Sequence, residues 1–207
     1  MKGGTINKNK MNKKGSALNV ALVVMVILGA LFLVAISTIG GTYNDLVQKD
    51  TDVEAQWGKV QSAYERRLDL IPNLVATVKG SAAFEKDTQT QIAELRGGVK
   101  NAKSPSDMQA VDGKMTALMS GINIQVEAYP DLKSTENFRA LIDELAGTEN
   151  RIKWERDNYN DIVKNYKVTV RSFPTNIIAG WFGFEESKWD TFEAEEGADS
   201  APEVDFE

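Results

Sequence analysis

Neither cysteine nor histidine occurs in the 207-residue chain. Disulfides, thiol nucleophiles and thiolate zinc sites are therefore excluded, as is every triad or facial metal site built on imidazole. Glycine-rich phosphate loops are missing too, and no stretch of useful length alternates apolar and polar residues as a half-buried strand does. "KVTVRSF" is the one weak strand signal, and a helical pattern runs up to it. Charge is absent from Gly15 to Asn44.

That uncharged stretch contains "ALNVALVVMVILGALFLVAISTIGG", Ala17 to Gly41, which supplies the ~20 apolar residues that ~30 Å of hydrocarbon requires. A cleaved signal peptide is the competing reading, but its apolar core runs to roughly 7–15 residues. The span is therefore expected to be a retained transmembrane helix. Lys2, Lys8, Lys10, Lys13 and Lys14 precede it, and Asp45, Asp50 and Asp52 follow it. By the positive-inside bias the amino terminus is cytoplasmic and the body lies outside, periplasmic or extracellular. Net charge is −6, and because five positive charges sit before residue 15, residues 15–207 carry −11. Nucleic acid is a poor partner for such a body. The lipid bilayer is the expected partner, together with proteins or further copies of the chain.

Beyond the span the pattern is helical. Tyr43, Leu46, Asp50, Val53, Trp57, Val60, Tyr64, Arg67, Ile71, Leu74 and Val78 recur at alternating three and four, one stripe of a helix. Pro72 must kink this helix or end it, and the stripe passing through in phase argues for a kink. Gly80 and Ser81 offer a helix end and a new N-cap, opening a second helix to about Ala102. In "KSPSD" Ser104 can cap and Pro105 sits where its missing N–H costs nothing; Met108, Val111, Met115, Leu118 or Met119 and Ile122 follow on a third helix. A fourth, about Thr135 to Arg171, carries Phe138, Leu141, Leu145, Ile152, Tyr159, Ile162 and Tyr166. The expected fold is all-α: a basic segment 1–16, a transmembrane helix 17–41, an elongated antiparallel four-helix bundle with its apolar end over 42–184, and a disordered acidic tail 185–207 with ten carboxylates and one lysine.

Three charges fall on these stripes, Asp50 and Arg67 on the first helix and Glu155 on the fourth. A core charge is expensive unless paired, so Arg66 or Arg67 is expected to meet Glu149 or Glu155 across the interface. Facing carboxylates also build di-metal bundles, but those usually add histidine. Asp143 and Glu144 would be an acid–base pair in a glycosidase reading, yet neighbouring charges on a helix more often form a solvated face. No catalytic, cofactor-binding or metal-binding residue is assigned.

"RSFPTNIIAGWFGF", Arg171 to Phe184, is the unusual segment. An even number of antiparallel helices returns the chain to the bilayer. Phe173, Ile177, Ile178, Trp181, Phe182 and Phe184 would then arrive at its surface, with Lys164, Lys167 and Arg171 just before them, as an interfacial segment requires. Equally, the same residues can fold back and plug the bottom of the bundle.

"YNDLV" (Tyr43 to Val47), "RRLDLIPNLVATVKG" (Arg66 to Gly80) and the run from "YPDLKSTENF" to "NIIAGWFGF" (Tyr129 to Phe184) together resemble the LemA family of bacterial membrane proteins. The resemblance implies one amino-terminal membrane helix followed by antiparallel helices, and no established enzymatic activity. It also implies an alternative topology with a cytoplasmic body, against the lysine asymmetry. The expected role is a non-catalytic structural or protein-interaction module at the cell envelope; the alternative is an oligomer that shapes or organises membrane through the aromatic segment 173–184.

Overall fold

The computed structural model describes residues 9–78, 82–127 and 135–193, with side chains for 19–78, 84–127 and 135–193. The lysine side chains of the first 14 residues, the Gly80–Ser81 turn, the Tyr129–Ser134 connection and the chain beyond Glu193 lie outside the described residues. Within them the protein is helical: α1 (Asn9–Thr77), α2 (Ala82–Asn101), α3 (Pro105–Glu127), α4 (Glu136–Arg171), α5 (Thr175–Phe182) and a 3-10 turn at Glu186–Lys188. No strand occurs among the described residues.

α1 is one helix of 69 residues, about 100 Å at 1.5 Å per residue. It runs through Pro72 to Thr77, so the proline does not end it. Its amino-terminal part reaches a mean hydropathy of 3.0 in an 18-residue window, none of it buried by the rest of the chain. The large apolar side chains from Val20 to Ile36 stand exposed. By length and composition this part of α1 is a candidate membrane span.

From Leu46 onward the same helix becomes the spine of a bundle. Leu46, Val53, Val60, Tyr64, Ile71, Leu74 and Val78 are buried, the stripe seen in the sequence. α4 lies antiparallel along it and contributes Phe138, Leu145, Ile152, Tyr159, Val163 and Tyr166 to one continuous core. α2 packs on the upper half of α1 and α3 packs on α2. Their approach is close: a Cβ on Gly98 would stand 2.9 Å from Cγ2 of Val111. α3 opens as its sequence dictates. Ser104 Oγ accepts from Asp107 N at 3.2 Å, while Asp107 Oδ2 accepts from Ser104 N at 3.1 Å and Lys103 N at 3.0 Å, a reciprocal capping box ahead of Pro105. These backbone donors, Lys103 first, hold the Asp107 carboxyl below its usual range.

The α2–α3 hairpin stops partway down. Gln61 Nε2 donates to the carbonyls of Val99 (3.0 Å) and Ala102 (3.3 Å), closing the end of α2 against α1. Below that level only α1 and α4 continue toward the membrane span, forming a two-helix stem whose flank is covered by the chain after α5. That chain was expected to be part of a solvated acidic tail. Instead Glu185 to Glu193 turns back and climbs the stem as a strap. Phe192 is buried against Trp57 (6.0 Å), Tyr159 (5.6 Å) and the Arg156 guanidinium (4.7 Å). Asn160 holds the Phe192 backbone at both ends, Oδ1 accepting from its N–H at 2.8 Å and Nδ2 donating to its carbonyl at 3.1 Å. Apolar burial outweighs the acidic composition here, because two aromatics reach a groove that two helices alone leave open.

Phe192→Ala is expected to cost about 3 kcal/mol, whereas Phe173→Ala, at an exposed position, should stay within about 0.5 kcal/mol. Thermal unfolding of the detergent-solubilised chain checks both.

Candidate functional site at the base of the bundle

α4 ends at Arg171, and after Ser172–Pro174 the short α5 lies across the bottom of the stem, packed on both α1 and α4. Gly183 closes it in the left-handed region at φ 76°, a conformation glycine adopts without a Cβ penalty. Phe184 N then donates to Ala179 O at 3.0 Å and the strap begins.

The eight residues of α5 present two apolar faces. Ile178 and Ala179 are 6% and 1% exposed, closing the core, whereas Ile177, Trp181 and Phe182 are 45%, 69% and 51% exposed, with Phe173 beside them at 80%. Phe184 is half-buried against the core. The sequence expectation that all six residues Phe173, Ile177, Ile178, Trp181, Phe182 and Phe184 share one role divides here: Ile178 and Phe184 plug the bundle, and the other four face outward. Tyr43 fixes the level of this face. Its ring lies 4.7 Å from that of Phe182 and 6.0 Å from that of Phe184, two residues after the apolar run ends at Gly41. The outward apolar surface therefore stands beside the point where α1 leaves the membrane span.

A series of polar contacts between α1 and its neighbours sets the height of this base. Lowest is Asp50, which accepts from Lys188 Nζ at 2.7 Å and Trp189 Nε1 at 2.8 Å. Next is Glu155, 1% exposed. Its Oε2 accepts from Gln56 Nε2 at 2.6 Å, its backbone carbonyl from the same nitrogen at 3.2 Å, and its Oε1 lies 2.5 Å from Arg151 Nη2. Higher up, Arg67 Nη1 pairs with Glu149, and Arg66 Nη2 with Glu144 Oε1 at 2.6 Å. Of the four residues named from the sequence, Arg67 and Glu149 are brought together. Arg66 meets Glu144 instead, and Glu155 takes its own helix's Arg151 and a glutamine of α1. Sequence reading missed Gln56 because a glutamine beside the apolar stripe carries no periodic signal. It missed the Asp50 partners because Lys188 and Trp189 sit in the segment expected to be a tail; isolated aromatics within that acidic run were the available clue.

Tyr166 ties the strap from α4, its hydroxyl donating to Glu185 O at 3.2 Å. Burial, with Asp50 and Glu185 adding, pushes its pKa up to about 12. Burial likewise raises Tyr159 to about 12, with Asp190 adding, and raises Tyr64 further, with Asp112 adding. Unfolded tyrosines ionise near pH 10, so the folded state holds these protons longer than the unfolded one. Their contribution to stability is complete below about pH 10 and is lost as pH rises through the folded values near 12. Tyr166→Phe should shrink the alkaline loss of stability, measured as unfolding midpoints from pH 9 to 12 beside the tyrosinate absorbance.

The LemA family model matches residues 56–206. Protein LemA of Metamycoplasma hominis is 24% identical over 143 residues, 67% of this chain and 64% of that protein, so the chain spans a little under two thirds of that relative's length. Magnetosome protein MamQ 2 of Paramagnetospirillum magneticum is 23% identical over 195 residues, 80% of this chain and 71% of its own length. Magnetosome protein MamQ of Magnetospirillum gryphiswaldense is 22% identical over 192 residues with the same coverage, 80% and 71%. The family match opens at Gln56, the residue that holds Glu155, and takes in α4, the base and the strap; the chain belongs to the LemA family.

Proposed function

We propose that this protein is a non-catalytic scaffold of the cell envelope, anchored by α1 and resting its base on the bilayer surface through Phe173, Ile177, Trp181 and Phe182. The observation that carries the reading is the outward apolar face of α5 beside Tyr43. Exposed aromatic and aliphatic groups at that level fit the headgroup boundary, where Trp bodies are buried and polar edges stay wet. Two attachments, a spanning helix and a docked base, would hold the stem at a defined attitude, as a single span does not. Of the two carboxylates that a hydrolytic reading would use, Asp143 and Glu144, the second is held by Arg66. What the body offers is surface for other proteins or further copies, with Ile124 and Trp154 exposed on α3 and α4. The lysines before the span favour an amino terminus in the cytoplasm and a body outside.

A second reading is membrane organisation by oligomers of the chain. The exposed base favours it, since such a surface repeated in an array would bind lipid multivalently, and relatives named as magnetosome proteins accord with a role in a specialised compartment.

The full chain in nanodiscs made with acyl-brominated phosphatidylcholine tests the base. Tryptophan fluorescence should be quenched strongly, and Trp181→Phe should remove most of that quenching; equal quenching in the variant would place the base away from lipid. Orientation is read from Ile124→Cys, usable because the chain has no cysteine. Labelling by an impermeant maleimide in intact cells is expected, and labelling only after lysis would put the body in the cytoplasm.

A further inference from the structure

α1 carries a second stripe, on the side turned away from α4. Asn44, Gln48, Thr51, Ala55, Gly58 and Ser62 recur at alternating four and three, uncharged and all exposed. The buried Leu46, Val53 and Val60 lie on the opposite face of the same helix by its 3.6-residue period. The chain's own elements leave the outer face bare, because α4 and the strap take other sides of the stem and the α2–α3 hairpin stops at Gln61.

The residues on this face suit a close helix neighbour. A Cβ on Gly41 or Gly58 would meet nothing within 4 Å, so packing inside the chain does not ask for glycine there, and glycine weakens a helix interior. Small residues let a second helix approach closely. The same spacing runs down through Gly41, Ser37, Val34 and Ala30 into the apolar span, and it ends above Ser62, where Glu65 and Asp69 take the next two positions. Gln56, 1% exposed, lines a cleft of about 240 Å³ that opens beside Ala55 and Lys59, and its Oε1 accepts no hydrogen bond among the described residues. Buried polar atoms are normally satisfied, so this flank calls for a covering surface.

The flanking charges say which one. With Gln48, Ala55 and Ser62 at heptad position a and Thr51 and Gly58 at d, Glu54 falls at g and Lys59 at e of the following heptad. In a parallel pair of helices these two positions meet across the interface. Glu54 of each chain then faces Lys59 of the other, a reciprocal pair of contacts about a two-fold axis. Both side chains are exposed and make no ion pair among the described residues. The neighbouring levels, Val47 with Asp52 and Gln61 with Arg66, bring no like charges together.

We propose that two copies of this chain associate in parallel along the outer stripe of α1. Copies anchored by α1 in one bilayer with one orientation already hold like residues at like heights, the arrangement this pairing needs. The inference deepens the oligomer reading above and rests on it, but it does not require the docked base.

The test uses the full chain in native membranes with a short bismaleimide crosslinker, reading Thr51→Cys and Ala55→Cys beside Asp161→Cys, an exposed control on α4. The two α1 variants should crosslink between chains at least about tenfold faster than the control, as held neighbours do relative to chance encounters. In the Thr51→Cys background, Glu54→Lys alone or Lys59→Glu alone should cut the crosslink about fivefold, since two exposed pairs become repulsive. Coexpressing those two variants under different tags should restore it between unlike chains, because each lysine then faces a carboxylate. Ala55→Glu should abolish it without lowering the thermal midpoint. The proposal is overturned if the α1 cysteines link no faster than the control, if Glu54→Lys or Ala55→Glu leaves the crosslink unchanged, or if like and unlike chains are recovered equally. Bromolipid quenching of Trp181 with no α1 crosslink overturns the pairing alone; the crosslink without quenching overturns the docked base and leaves the pairing standing.

Discussion

Burying one carboxylate on α4 constrains where everything below it can lie. Glu155 is withdrawn from water, and an ionised group there is tolerated only with its oxygens satisfied. Gln56 of α1 supplies a donor to both the carboxylate and the carbonyl of that residue, and Arg151 supplies a cation. A slip of one turn between α1 and α4 would strand the carboxylate, at a cost of about 3–5 kcal/mol for an uncompensated buried charge. The apolar stripes alone would resist such a slip much less, since Leu, Val and Ile neighbours recur at every turn. Registry between the two long helices therefore rests on polar chemistry, and the core supplies the bulk of the cohesion.

Registry matters because α1 is continuous with the membrane span. Any height fixed along α1 is a height above the bilayer, so Gln56, Asp50 and Tyr43 act as marks on a ruler. α4 is read against those marks and delivers α5 at Tyr43. Phe184, Trp189 and Phe192 then carry the chain back up the stem, where Asp50 and Asn160 hold it. The base is thus clamped from both sides, α4 arriving and the strap leaving, and its outward residues are held in place although each makes few contacts with the protein.

Much of this was legible in the residues. An uncharged apolar run, stripes at three and four, and Ser104–Pro105 each state a local preference strong enough to survive folding; α2, α3 and α4 open within a residue or two of where the residues put them, whereas α1 begins at Asn9, eight residues before the expected span, and runs on unbroken to Thr77. Partner choice was not legible. Periodicity reports which residues turn inward and is silent on what they meet, so Arg66 was as plausible a partner for Glu149 as Arg67. The strap failed for another reason: composition averages over a segment, and nearby acidic residues mask the two aromatics that decide its fate. α5 is too short for a periodic signal to separate its inward Ile178 and Ala179 from its outward Ile177 and Trp181, which only the packing against α1 and α4 distinguishes.

The return of α4 to the bilayer surface in this register is the claim on which base and strap both depend. With no native cysteine in the chain, a Tyr43→Cys, Phe182→Cys variant treated with a short bismaleimide crosslinker in native membranes tests it directly, because those two rings lie 4.7 Å apart between centroids. A rapid intramolecular crosslink, absent from a Tyr43→Cys, Ile124→Cys control, is the predicted result. Failure of the first pair to crosslink, or crosslinking only between separate chains, would mean that α4 does not come back to α1 at the membrane.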